Sequence, residues 1–314
     1  MDAPGFNFSD NRGQIPPRLQ HGGRDIFVSN RSGVNSGDGR NPRRPLASLI
    51  DAANFAANAA DVSQTSGNAD DGAVIHVGSM HNEVVSGADW LSAIASKNIR
   101  IICNDGSAKL RFTATTSQIL MDTDGMVLDG LTMEFCDTTA DLTVVAPIKV
   151  TGARCKILNC NILASSTSAR LCTTGIEIAT GADDFLAVNN TANGITGTPT
   201  DFFKVTAAVR RLRMYWNNFQ MPMSATTVGP VRFLTAAALD VDIGFNTFVN
   251  LTASSTVAFT GMSGLTGSLY RNNCGIQNAT GGATAMSLVA TCALSENYGS
   301  CPGKVGLVIG ATGA

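Results

Sequence analysis

The chain has 314 residues, 44% of them hydrophobic, which is enough for one sizeable core. Its net charge of −2 argues against a nucleic-acid partner, and no apolar run approaches the roughly 20 residues needed to span a bilayer. Only 15% of residues are charged, below the roughly 25% of ordinary soluble domains, so contacts with other protein are expected to cover part of the surface.

Residues 1–24 lack the basic start and apolar core of a secretory signal. They mix Gly, Pro and Asn with a few anchors. They read either as an extended arm that orders on a partner or as a strand packed along the body of the protein. The candidate partner-binding residues are Phe6, Phe8, Ile15, Pro16, Pro17, Arg18 and Leu19. IFVS, from Ile26, reads as a strand and is followed by the Gly- and Asp-rich loop GVNSGDGRNPRRP. PLASLIDAANFAANAADV is the one convincing helix: Ser48 is placed to cap it, with Asp51 at capping-box spacing. Its expected apolar stripe is Leu49, Ile50, Ala53, Ala56, Ala57 and Ala60. AVIHVGSMHNEVV and NIRIICNDG add two strand signals. These elements divide residues 25–314 into a cap region, 25–96, and repeat rungs, 97–314.

The repeats dominate the second half. Segments beginning at Ile148, Ile176, Phe203, Val231, Val257 and Met286 start 28, 27, 28, 26 and 29 residues apart. Each holds two short, alternating, Val/Ile/Phe-rich runs, which cannot bury their apolar sides without neighbours above and below. Helical spacing is absent, and so is the leucine pattern of leucine-rich repeats. A parallel β-helix is therefore expected, an all-β fold whose open N-terminal end the helix covers.

In such a coil equivalent side chains stack at roughly 4.8 Å. Asn161, Asn190, Asn218, Asn246, Asn273 and Asn297 fall where each second run should turn, and they read as one structural ladder. ILMDTDGMVLDGLTM, from Ile119, reads as an earlier rung, with Val127, Leu128 and Asp129 opposite Ile157, Leu158 and Asn159. Lys149, Glu177, Lys204 and Arg232 each follow the first apolar residue of their rungs and form an outward charged column. The last residues, VGLVIGATGA, either cap the far end or insert into a neighbour.

The order of strand, Gly/Asp loop, helix and VIHVGSMHNEVV over Asp25–Val85 resembles the start of many right-handed parallel β-helix proteins. That superfamily includes pectate lyase-like enzymes and bacteriophage tailspikes and other virion proteins. The resemblance implies the fold; activity must be argued from a site. Asp183 and Asp184 are similar to the paired aspartates of polygalacturonases. The glycine-histidine-glycine and arginine-isoleucine-lysine motifs of that family are absent. Rung spacing instead sets Asp183 between Arg154 and Arg211, which would hold it ionised.

Of the adjacent pair Tyr215 and Trp216, one is expected to face inward and the other outward as a contact residue. The cysteines at 103, 155, 160, 172, 274 and 292 lie in or beside strand runs and read as small core residues. His21, His76 and His81 have no thiolate at zinc-ligand spacing, and neither a metal nor a cofactor is implied. Taken with the resemblance, the expected function is a non-enzymatic virion component assembled in the host cytoplasm. It would be a homotrimeric capsid decoration or cement protein contacting the major capsid protein or another virion protein. The alternative is a tailspike or pectate lyase-like enzyme acting on an acidic polysaccharide through Asp183, Asp184, Asp240 or Asp242.

Overall fold

The computed structural model describes residues 25–31, 37–57, 72–88, 90–91, 98–135, 143–163, 171–194, 199–234, 238–261, 264–277, 285–288, 291–301 and 304–307. Among them the chain is nearly all β, a parallel solenoid of about seven full turns preceded by the shorter turns of the cap region. Each full turn contributes one strand to each of three sheets. The first such turn is Ile119–Met121, Val127–Asp129 and Thr132–Glu134, and the last is Met286–Leu288, Thr291–Ser295 and Tyr298–Cys301. Sheet A collects the middle strands of these turns, sheet B the last and sheet C the first.

Strand character follows from alternation. In Ile148–Val150, Lys156–Leu158 and Asn161–Leu163 the residues with even spacing turn inward and are buried, while their neighbours stay half-exposed. Neighbouring turns repeat the pattern in register, so one apolar column lies on the next. Phe203, Phe219, Phe248 and Phe259, all fully buried, stack through the middle of the coil with centroids 5.9 to 6.3 Å apart. No turn could bury such rings alone, and for that reason the repeat is the unit of stability.

The register corrects the sequence reading in two places. Ile148, Ile176, Phe203 and Val231 pair in succession, but the next partner is Phe259, not Val257. Val127, Leu128 and Asp129 lie opposite Lys156, Ile157 and Leu158, one residue earlier than expected. Lys149, Glu177, Lys204 and Arg232 do form one column.

The helix runs Leu49–Ala57 and packs on the first two strands of sheet A, Asp25–Val28 and Val74–Val77. Ser48 Oγ accepts the Asp51 N–H at 3.1 Å, one half of a capping box. Leu49, Ala52, Ala53 and Ala56 are buried, whereas Ile50 is exposed. Ile50 cannot share the core-facing stripe because it lies about 100° round the helix from Leu49. At the other end Lys304–Leu307 turns back antiparallel to Tyr298–Cys301 and closes the upper edge of sheet B.

Candidate functional site

The corner between sheets A and B uses the same three positions in successive turns. The first has a left-handed backbone and is filled in order by Gly130, Asn159, Asn189, Trp216, Phe245, Arg271 and Glu296, with φ between 51° and 70°. This residue reverses the strand direction, so the second position points into the coil and the third opens the sheet B strand.

The second position carries a buried amide ladder of Asn190, Asn217, Asn246, Asn272 and Asn297, each at most 4% exposed. Asn217 shows the pattern. Its backbone N–H and its side-chain N–H both donate to Asn246 Oδ1 at 2.9 Å, and its Nδ2 also donates to Ala187 O at 2.9 Å. One amide thus satisfies groups in the turns above and below. Cys160 holds this position one turn earlier, donating its N–H to Asn190 Oδ1 at 2.9 Å. Of the asparagines singled out in the sequence, Asn190, Asn246 and Asn297 lie in this column. Asn161, Asn218 and Asn273 lie one residue further on, at the start of the sheet B strands, where Asn161 pairs with Thr191, Thr191 with Asn218 and Thr247 with Asn273.

The left-handed column changes character half-way. Its lower part is a polar chain: Asn189 Nδ2 donates to Asn159 Oδ1 at 2.9 Å, Asn159 Nδ2 donates to Asp129 Oδ1 at 2.8 Å, and Asp129 pairs with Arg100. Asparagine suits this backbone. One turn higher the position is Trp216, 58% exposed, and then Phe245, 37% exposed. The two rings stack with centroids 5.6 Å apart and planes 16° from parallel. Tyr270 meets Phe245 edge-on at 5.5 Å, and the Arg271 guanidinium lies over the same ring at 5.5 Å. Large aromatics at positive φ are strained relative to Gly or Asn, and here they are set side by side on the surface.

Beside them Tyr215, Gly244 and Tyr270 pair in register. A Cβ on Gly244 would lie 2.6 Å from the Tyr270 ring, so this glycine lets the tyrosine lie across the sheet. Tyr215 donates its hydroxyl to Asp242 Oδ2 at 2.6 Å; burial and then this bond hold the phenol well above its ordinary value. Asp242 Oδ1 is buried without a hydrogen-bond partner. Tyr215 and Trp216 were expected to alternate. In fact Met214 takes the inward place, Tyr215 is half-buried on the outer side, and Trp216, at the left-handed position, projects outward too. The reversal at the corner breaks the strand period.

The acidic candidates of the preceding corner are engaged. Asp184, not Asp183, shares a column with Arg211, whose Nε and Nη2 donate to its two oxygens at 2.5 and 2.7 Å. The Arg211 bond holds the Asp184 carboxyl below the usual carboxylate range. Asp183 Oδ1 accepts the Arg210 N–H at 2.7 Å, and Arg154 pairs with Asp124 at 3.4 Å. The one-residue error arises from a left-handed residue at Arg154, Asp184, Arg211 and Asp240. Sequence reasoning missed Asp201, 1% exposed, which ties Lys204 and Arg232 of the charged column at 3.0 and 2.9 Å.

Burial pushes the thiols of Cys155, Cys160 and Cys274 up to about 12. His76 pairs with Asp25 at 3.0 Å and stacks on Phe27. Among the described residues no group of His, Cys, Asp and Glu could hold a metal ion, and no helix is long and apolar enough to cross a membrane. The N-terminal candidates Phe6, Phe8, Ile15, Pro16, Pro17, Arg18 and Leu19 lie outside the described residues.

Fold and corner together define a parallel β-solenoid with an exposed aromatic face over three turns. No protein-family model matches the chain, and a search of curated proteins found no relative.

Proposed function

We propose that the chain is a non-enzymatic structural protein of a bacteriophage virion, a homo-oligomer, most simply a trimer, that decorates and stabilises the capsid shell. The observation that carries this reading is the placement of Trp216 and Phe245 on left-handed corner positions that Asn159 and Asn189 fill below them. The fold has no need of aromatics there, and a contact surface does. Each ring covers one face of the other, and together they leave a joined apolar surface that suits a seat on protein. The low surface charge and the resemblance of the N-terminal region to phage β-helix proteins support the same reading. The arm 1–24 supplies a second attachment. Native mass of the chain and its location in purified particles test the proposal; a monomer absent from particles overturns it.

A second reading is favoured by Asp242. Its carboxyl accepts the Tyr215 hydroxyl and lies beside Tyr270, close to the exposed corner aromatics, a grouping of acid and rings that would suit a polysaccharide as in a tailspike or pectate lyase-like enzyme once the tyrosines move aside. This reading predicts release of reducing ends or unsaturated sugars from a polysaccharide panel, abolished by Asp242→Asn.

A further inference from the structure

The three sheets share one strand geometry, yet their outward side chains differ in kind. Sheet C presents Lys149, Glu177, Lys204, Arg232 and Thr260. Sheet B presents a neutral polar column of Thr132, Asn161, Thr191, Asn218, Thr247 and Asn273. Sheet A lays its outward residues in two columns. The first holds Val127, Lys156, Leu186, Arg213 and Asp242, and the second Asp129, Leu158, Val188, Tyr215 and Gly244. Asp129 and Gly244 are buried, Arg213 is exposed and the others are half-buried. Val127, Leu158, Leu186 and Val188 thus make a contiguous aliphatic strip on the outside of the coil, with Tyr215 at its upper end. Solvent asks for polar groups at these positions, as the other two sheets illustrate, and a contiguous apolar strip marks a contact surface. The two columns are also unlike in charge. The first carries Lys156 and Arg213, neither in an ion pair among the described residues. The second carries no cation, and its Tyr215 donates its hydroxyl to Asp242 at 2.6 Å.

We infer that the outer face of sheet A is where copies of this chain meet, the first column of one copy against the second column of the next. With the coils running the same way and their turns level, Leu186 meets Val188 of the next copy, and Lys156 lays its stem on that copy's Leu158 while its ammonium reaches the rim. Arg213 comes to lie over the next copy's Tyr215, beside the carboxylate bonded to that ring. Cation therefore meets ring and acid, and aliphatic meets aliphatic. A second copy fits this strip because it repeats the same spacing of turns, roughly 4.8 Å, along the whole length of the contact. Joining unlike columns makes the contact heterologous, and three copies around an axis parallel to the coil close it into a ring. The inference rests on the homo-oligomer reading above and gives that assembly its surface. Trp216, the residue after Tyr215, lies at the rim of the contact, on the corner proposed to face the shell.

Light scattering on the full chain in solution tests this. The wild type runs as an oligomer, and the Leu186→Asp, Val188→Asp double variant falls to the 32.6 kDa of one chain while keeping its strand circular dichroism. Asn193→Asp with Gln220→Glu, which charges the outer face of sheet B in two of the same turns, leaves the mass of the oligomer unchanged. An oligomer that survives the sheet A charges overturns the inference and leaves the homo-oligomer reading standing; a monomeric wild type overturns both. If the double variant does not fold, two single variants decide. Leu186→Cys and Val188→Cys chains, co-expressed and then oxidised, form a disulfide between position 186 of one chain and position 188 of another. No such disulfide, or only links joining 186 to 186 and 188 to 188, overturns the inference.

Discussion

Asn246 Oδ1 accepts two hydrogen bonds from Asn217 one turn below, from its backbone and from its side chain, both at 2.9 Å. Asn217→Ala removes an amide whose Oδ1 accepts two bonds from Asn190 below and whose Nδ2 donates to Asn246 above, leaving buried groups unpaired. The expected loss is on the order of 3 kcal/mol in denaturant unfolding. Asn218→Ala, whose side chain only receives Gln220 Nε2 at the half-exposed start of the strand, loses less than about 1 kcal/mol. Equal losses would contradict the ladder.

Replacing Trp216 and Phe245 together by Asn removes an exposed ring stack but relieves two positive-φ positions. The opposing effects leave stability within about 1 kcal/mol of the wild type. Phe248→Ala, which empties a fully buried site in the same turn, loses about 3–5 kcal/mol. Thermal and denaturant unfolding of the two variants gives the comparison.

Gly244→Ala drives a methyl group into the Tyr270 ring and displaces it from the sheet. The expected loss is about 1–3 kcal/mol, accompanied by a change in tyrosine near-UV circular dichroism. An unchanged spectrum would show that Tyr270 does not lie across this glycine.

Asp105 gives the fold an acid limit. Burial alone would raise its carboxyl, but bonds from Ser79 and Ser107, reinforced by Cys103, outweigh burial and hold it at about 2. A carboxyl lowered in the folded state stabilises above its unfolded value and loses that contribution as pH falls through the folded one. The window therefore runs from about pH 4 down to about pH 2. Because the residue is exposed, the change is about 1 kcal/mol after solvent screening. Asp105→Asn should flatten stability against pH across that window.

The period was legible because each turn spends nearly the same number of residues on strands and corners. Its phase at the corner was not. In Asn189-Asn190, Asn217-Asn218 and Asn272-Asn273, alternation alone cannot say which amide enters the coil, because the left-handed residue shifts the period by one. The turns with a single asparagine, at Asn246 and Asn297, hold the answer: anchored on them, Asn217 and Asn272 become the buried residues. The more even spacing of Asn218 and Asn273 points the other way. The same shift moved the charge pair from Asp183 to Asp184. The aromatic corner stayed hidden because Trp216, Phe245 and Tyr270 become neighbours only once these corner lengths are known.

The docking proposal is tested most directly by the occupancy of this chain on purified phage particles, wild type against the Trp216→Asn, Phe245→Asn double variant, at equal expression and equal thermal stability. The account predicts wild-type chain at fixed stoichiometry on the particles and a variant that folds but is lost from them. Incorporation of the variant at the wild-type level, or particles that lack the wild-type chain altogether, would contradict it.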